Sequence, residues 1–162
     1  GYEKFIERMV VSGVDGVLTV DLPPEEAKVF NEQLKASNIE NIFLLAPTSS
    51  QIRQKKVAAM AGGFIYYVSL NGVTGAANLD LDSVKEHVSS IRALTSLPIC
   101  VGFGIKDGPT ARAVANVSDG VVVGSAIVNK IADLAKLGEA NPLAYAETVS
   151  VVIKDIRGAL DK

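Results

Sequence analysis

Five short apolar runs, separated by stretches with a helical period, restrict this chain to one class of fold. The runs are Gly16–Val20 (GVLTV), Asn41–Leu45 (NIFLL), Phe64–Val68 (FIYYV), Pro98–Val101 (PICV) and Gly120–Val123 (GVVV). They are nearly continuous rather than alternating, as parallel strands covered on both faces are. In the intervals the apolar spacing changes. Tyr2, Phe5, Ile6, Met9 and Val10 fall at i, i+3, i+4, i+7 and i+8, one helical stripe. Pro24 with Glu25 and Glu26 predicts a helix start, because a fixed φ and negative charge both suit a first turn. Ser49 or Ser50 can cap a helix that ends at Gly62-Gly63. Val84, Val88, Ile91 and Leu94 mark another, with Asp82 as its expected N-cap. Pro109 and Ser125 open two more, and Pro142 starts a last helix carrying Tyr145, Val149, Ile153, Ile156 and Leu160. The order is a helix, five strand–helix units and an extra helix near the end, which predicts α/β with a parallel sheet.

An open doubly wound sheet and a (β/α) barrel both satisfy that alternation. A barrel needs eight strands and typically about 250 residues, whereas this chain offers five units in 162 residues. If it is a barrel, its first three strands are missing. No linker, low-complexity segment or charge run divides the chain, so residues 1–162 are expected to form one domain. At 48% hydrophobic and 21% charged residues there is ample material for a core. A net charge of −2 gives no electrostatic case for nucleic acid or an anionic membrane. One cysteine, Cys100, and one histidine, His87, exclude a disulfide framework and the usual Cys/His zinc sites. The opening GYEKFIERMV has charges where a secretory signal needs an apolar run, and no stretch reaches the roughly 18 apolar residues of a membrane span. A cytoplasmic location is expected.

The chemistry concentrates where glycines follow the last three strands: Ser69–Ala76 (SLNGVTGA), Gly102–Ile105 (GFGI) and Gly124–Val128 (GSAIV). Small residues there let backbone N–H groups approach an anion, and a helix N-terminus adds its dipole. Gly104, Gly124 and Ser125 are the expected phosphate donors, with Gly75 from the preceding loop. Glycines also serve simply to make tight turns, but three such loops on one rim favour phosphate. Acid–base candidates are scarce. Asp21 reads as a loop residue, Glu25 and Glu26 as first-turn charges, His87 as solvated on a polar helix face, and Cys100 as a small buried hydrophobe. Tyr66 and Tyr67 are adjacent and must point to opposite faces of the sheet, so one of them can border a ligand. Thr74 lies in a loop of the kind that closes over a site. No catalytic pair of carboxylates is visible.

Taken together, GVDGVLTVDLPPEEA (13–27), IFLLAPTSS (42–50), SLNGVTGAAN (69–78), VGFGIKDG (101–108) and GVVVGSAIV (120–128) resemble the tryptophan synthase alpha chain, in order and over essentially the whole sequence. The resemblance implies a TIM (β/α)8 barrel of which this chain holds the last five strand–helix units, from about the third helix onward. It implies a lyase of tryptophan biosynthesis that cleaves indole-3-glycerol phosphate to indole and glyceraldehyde 3-phosphate in a retro-aldol reaction. It also implies an alpha2-beta2 assembly in which the alpha chain holds no cofactor and the beta chain uses pyridoxal phosphate.

Carried over by motif, substrate phosphate would rest on Gly75, Gly104, Gly124 and Ser125. Tyr66, Leu18, Val20, Val122 and Phe103 would shape the pocket, and Thr74 would belong to the closing loop. The family's catalytic glutamate and aspartate have no counterpart here, so no catalytic residue is assigned to this chain and it is expected to be inactive alone. The alternative is a non-catalytic phosphate-binding half-barrel or interaction module; an open flavodoxin-like sheet is disfavoured because Asp21 stands alone where that fold has an acidic cluster. Five strands without closure leave an apolar edge that invites pairing. The isolated chain is therefore expected to self-associate or dissolve poorly, and a well-behaved monomer on gel filtration would contradict this.

Overall fold

The computed structural model describes residues 1–69, 80–102 and 104–161. Its elements are α1 (Tyr2–Val11), β1 (Gly16–Leu18), α2 (Lys28–Ala36), β2 (Glu40–Leu45), α3 (Gln51–Met60), β3 (Ile65–Val68), α4 (Leu81–Arg92), β4 (Ile99–Gly102), α5 (Gly108–Ala115), β5 (Gly120–Val122), α6 (Ser125–Lys136) and α7 (Pro142–Leu160). The predicted order holds throughout. All neighbouring strands pair in parallel in the order β1-β2-β3-β4-β5, so α2, α3, α4 and α5 are crossovers and the five carboxyl ends share one rim. Among the described residues no helix is long and apolar enough to cross a membrane.

Three boundaries differ from expectation for identifiable reasons. β1 stops at Leu18 rather than Val20. It pairs only with β2, and beyond it the chain turns toward Pro23-Pro24, which have no N–H to extend a ladder. Val20 is 67% exposed. Pro24 opens a separate turn rather than α2, because the Glu26 and Ala27 amides both donate to Pro23 O, at 3.0 and 3.1 Å. Asp80, not Asp82, caps α4 by accepting from the Ser83 amide at 3.0 Å, while Asp82 places its charge in the first turn. Of the two candidate serines, Ser50 caps α3 by accepting from the Arg53 amide.

The strand register sorts side chains onto two unequal faces. Phe43, Leu45, Ile65, Tyr67, Ile99 and Val101 are buried beneath the helices, packed with Val57, Val84, Val88, Ile91, Ala111, Val114 and Ile156. On the opposite face Leu18, Ile42, Leu44, Tyr66, Val68, Cys100 and Val122 are only half-buried. The expectation that both faces are covered fails here because five strands curve without closing. Their inward side chains do not meet a facing wall as they do in an eight-stranded barrel. A second cluster joins Ile6 and Met9 of α1 to Phe30, Leu34 and Ile39. Tyr2, Phe5 and Val10 of the predicted stripe stay about half exposed, although the Tyr2 and Phe5 rings lie 4.7 and 6.3 Å from the Phe30 ring.

At the opposite rim one carboxylate ties three elements together. Asp119 accepts from Arg92 Nη1 and Nη2 at 3.1 and 2.9 Å and from the Ile99 amide at 2.9 Å. Burial alone would raise its carboxyl pKa, but the Ile99 amide and the Arg92 guanidinium together hold it below the ordinary value. A carboxyl with a lowered folded-state pKa stabilises the fold above its unfolded value and loses that contribution as pH falls through the folded one. Asp119→Asn is therefore expected to lower Tm at pH 7. The gap to wild type should narrow as pH falls below the ordinary 3.8, and a gap independent of pH in thermal melts would contradict this role.

Candidate functional site

Parallel pairing alone brings the ends of β3, β4 and β5 to one place, and three local features shape what forms there. Ser69, buried just past β3, donates to Gly102 O from both its amide and its Oγ, each at 3.0 Å, locking the ends of β3 and β4 together. Gly102 lies under the Tyr66 ring, where a Cβ would sit 2.8 Å from Tyr66 Cζ; only glycine lets the ring lie down there. Gly104 has φ +76, the left-handed region that favours glycine, and faces open space.

β5 then leads through Gly124 directly into α6, whose first residue is Ser125. The first helical bonds run from the Ile127 and Val128 amides to Gly124 O, at 3.0 and 3.1 Å. The amides of Gly124, Ser125 and Ala126 precede that ladder, as the first N–H groups of any helix do. No atom of the described residues lies within 4 Å of where a Gly124 Cβ would be.

These features enclose a cavity of about 230 Å³ lined by Tyr66, Gly104, Ile105, Val122, Gly124 and Ser125. One side offers helix N-terminal amides and the Ser125 hydroxyl; the other offers an aromatic ring and two aliphatic side chains. Burial raises the Tyr66 phenol pKa, so the hydroxyl stays neutral and able to donate. Such a cavity suits an anion carried on an apolar body. No carboxylate is among the described residues that line it.

Of the residues singled out from sequence, Tyr66, Val122, Gly104, Gly124 and Ser125 are brought together at this cavity. Gly75, Thr74 and Phe103 lie outside the described residues. Leu18 and Val20 do not line the cavity. Leu18 stands on the inner face of β1, paired with Ile42, with β2 and β3 between it and β4, and Val20 lies beyond the strand end. Ile105 was not anticipated. Its side chain is 3% exposed and joins the main core, and a signal existed in the lone large aliphatic after the GFG turn.

The ambiguity of the tyrosine pair resolves on packing. Tyr67 goes under the helices, its ring centroid 5.8 Å from that of His87, and burial pushes its pKa to about 12. His87 is half-buried rather than solvated, with Nδ1 2.7 Å from Ser83 O. Cys100 faces the inner side and is half-buried, its thiol pushed up by burial and by the Asp119 charge. Asp21 is exposed, and Glu25 pairs with Lys56 at 2.7 Å on the surface. Among the described residues no group of three His, Cys, Asp or Glu side chains could hold a metal ion.

The family model for the tryptophan synthase alpha chain matches residues 1–155. The tryptophan synthase alpha chain of Thioalkalivibrio sulfidiphilus is 50% identical over 161 residues, covering 99% of this chain and 59% of the relative. That of Psychrobacter sp. is 49% identical over 162 residues, with 99% and 59% covered. Among solved structures, tryptophan synthase subunit alpha from Legionella pneumophila superposes with a TM-score of 0.84 at 32% identity, covering 99% of this chain and 57% of that one. A chain from the tryptophan synthase a2b2 complex of Pyrococcus furiosus gives 0.82 at 31%, with 98% and 61% covered. The chain thus spans about three-fifths of the length of these relatives.

The contact between Gly102 and Tyr66 makes a sign-specific prediction. Gly102→Ala is expected to cost about 1–3 kcal/mol, as overpacking does. Tyr66→Ala in the same chain should recover part of that cost, because it removes the ring the methyl strikes. Urea unfolding of the two single variants and the double variant measures the coupling, and strictly additive losses would contradict it.

Proposed function

The chain belongs to the tryptophan synthase alpha chain family, and from that premise we propose that its cavity holds the phosphate end of indole-3-glycerol phosphate. The observation that carries this reading is the cavity itself, with helix N-terminal amides and Ser125 on one side and Tyr66, Ile105 and Val122 on the other. A phosphate ester placed there gains charge-assisted bonds from the amides at Gly124 and Ser125 and the favourable end of the α6 dipole. Gly104, together with Gly75 from the loop after β3, completes the proposed phosphate set. The indole end would extend along the inner face of the sheet, past Tyr66 and Val122 toward Leu18 and Val20, with Phe103 at the pocket wall and Thr74 in the closing loop.

The proposed reaction is the retro-aldol cleavage of this substrate. The bond between the indole ring carbon and the glycerol chain breaks. A proton is delivered to that ring carbon and another leaves the glycerol hydroxyl, releasing indole and glyceraldehyde 3-phosphate. Each positioned acid or base contributes typically about 10²–10⁴-fold. We place that pair outside this chain and assign it substrate binding, so the chain alone is expected to bind phosphate ester without turnover. In this reading residues 1–162 are one domain, the C-terminal five units of the barrel. It works in the cytoplasm, beside a beta chain that carries pyridoxal phosphate, within an alpha2-beta2 assembly.

The lack of a carboxylate among the described lining residues favours one second reading, a phosphate-binding half-barrel or interaction module with no lyase role. Both readings need the same anion site. Gly124 faces open space at an ordinary φ of −122, so Gly124→Leu should fold normally yet fill the cavity mouth. Calorimetric titration with glycerol 3-phosphate is expected to show affinity at least about tenfold weaker than wild type, roughly 1.4 kcal/mol. Unchanged affinity would remove the site assignment.

A further inference from the structure

The first amide of a helix has no acceptor within its own helix, and at the start of α5 a distant element supplies one. Asp155 of α7 accepts from the Gly108 amide at 2.9 Å, across 47 positions of sequence. Gly108 is buried, so without that carboxylate its N–H would be left unpaired away from water. Glycine is what lets α7 come so near. A Cβ on Gly108 would stand 3.0 Å from Ala159 Cβ and 3.2 Å from Asp155 O. Asp155 also adds negative charge beside the Asp107 cap, where the α5 dipole favours it.

This contact lies just past the Gly104 turn, and the stretch between is held at each step. Ile105 is buried in the main core together with Ile156 of α7. The Lys106 and Asp107 amides both donate to Thr110 Oγ1, each at 3.2 Å. Those two bonds lie within one turn and move with it, whereas the Gly108–Asp155 bond ties that turn to α7. α7 packs on α6 as well as on α5, and α6 begins at Ser125, directly after Gly124. One helix is therefore braced against both elements that bring backbone amides to the cavity.

We propose that Asp155 is a positioning residue for the anion cavity: its bond to the Gly108 amide fixes the Gly104 turn relative to the amides of Gly124 and Ser125. Asp155 does not line the cavity, so it acts on a bound phosphate through the backbone alone. The inference rests on the phosphate reading for its ligand, but not for the contact.

Two readouts on this chain test it. Calorimetric titration with glycerol 3-phosphate is expected to show Asp155→Ala at least about fivefold weaker than wild type, as loss of a charge-assisted bond would give. Asp155→Asn keeps an acceptor for the Gly108 amide and should recover most of that affinity. Ile91→Val, in the core beneath α4, should lower the urea midpoint yet keep wild-type affinity, which separates positioning from general loss of stability. Hydrogen exchange followed by NMR without ligand reads the contact itself. In Asp155→Ala, exchange should quicken at Gly108 and also at Lys106 and Asp107. Full affinity in Asp155→Ala, no recovery in Asp155→Asn, or faster exchange confined to Gly108 would each overturn the proposal. Wild-type chain that binds no glycerol 3-phosphate, with exchange changed as expected, would remove the phosphate reading and leave α7 as a clamp on the Gly104 turn.

Discussion

Everything in this molecule depends on parallel pairing between short strands. A parallel ladder forces each connection to cross the sheet, so the helices gather on one face and the strand ends align on one rim. The rim is where Ser69, Gly102, Gly104 and Gly124 meet. The covered face supplies the core, from Phe43 through Ile65 and Ile99 to Val101, with α3, α4 and α5 packed over it. The other face, with Leu44, Tyr66, Val68 and Cys100, has the composition of a barrel interior but only the burial of an open surface. The site and the half-buried inner face are thus two consequences of one topology.

The cavity is assembled from backbone more than from side chains. Its polar side is the start of α6, and the Tyr66 ring that lines the other side lies over Gly102. A site of this kind binds an anion at little conformational cost, because helix amides are fixed by the fold before the ligand arrives. Among the described residues that line it there is no carboxylate, and burial raises the Tyr66 phenol pKa further above its ordinary value.

Much of the fold was legible because each unit carries its own local signals. The five apolar runs place the strands, the stripes of α1, α4 and α7 place three helices, and Pro109, Ser125 and Pro142 mark helix starts within a residue. What could not be read were choices set by partners distant in sequence. Val20 continues the pattern of β1, but an edge strand with one neighbour ends where its ladder ends. Pro24 suits a helix start, yet Pro23 O captures the next amides into a turn of their own. His87 looks solvated in its local sequence and is half-buried, with the Tyr67 ring stacked on it.

At the site, the glycines and Ser125 could be read from loop composition; Ile105 left only the signal of a lone large aliphatic after GFG, because its burial depends on the left-handed turn at Gly104. The most direct test of the account is a crystal structure of this chain with glycerol 3-phosphate. Phosphate oxygens are expected within hydrogen-bonding distance of the amides at Gly104, Gly124 and Ser125, with the carbon chain directed toward Tyr66. Phosphate bound elsewhere on the surface, with this cavity left to solvent, would contradict it.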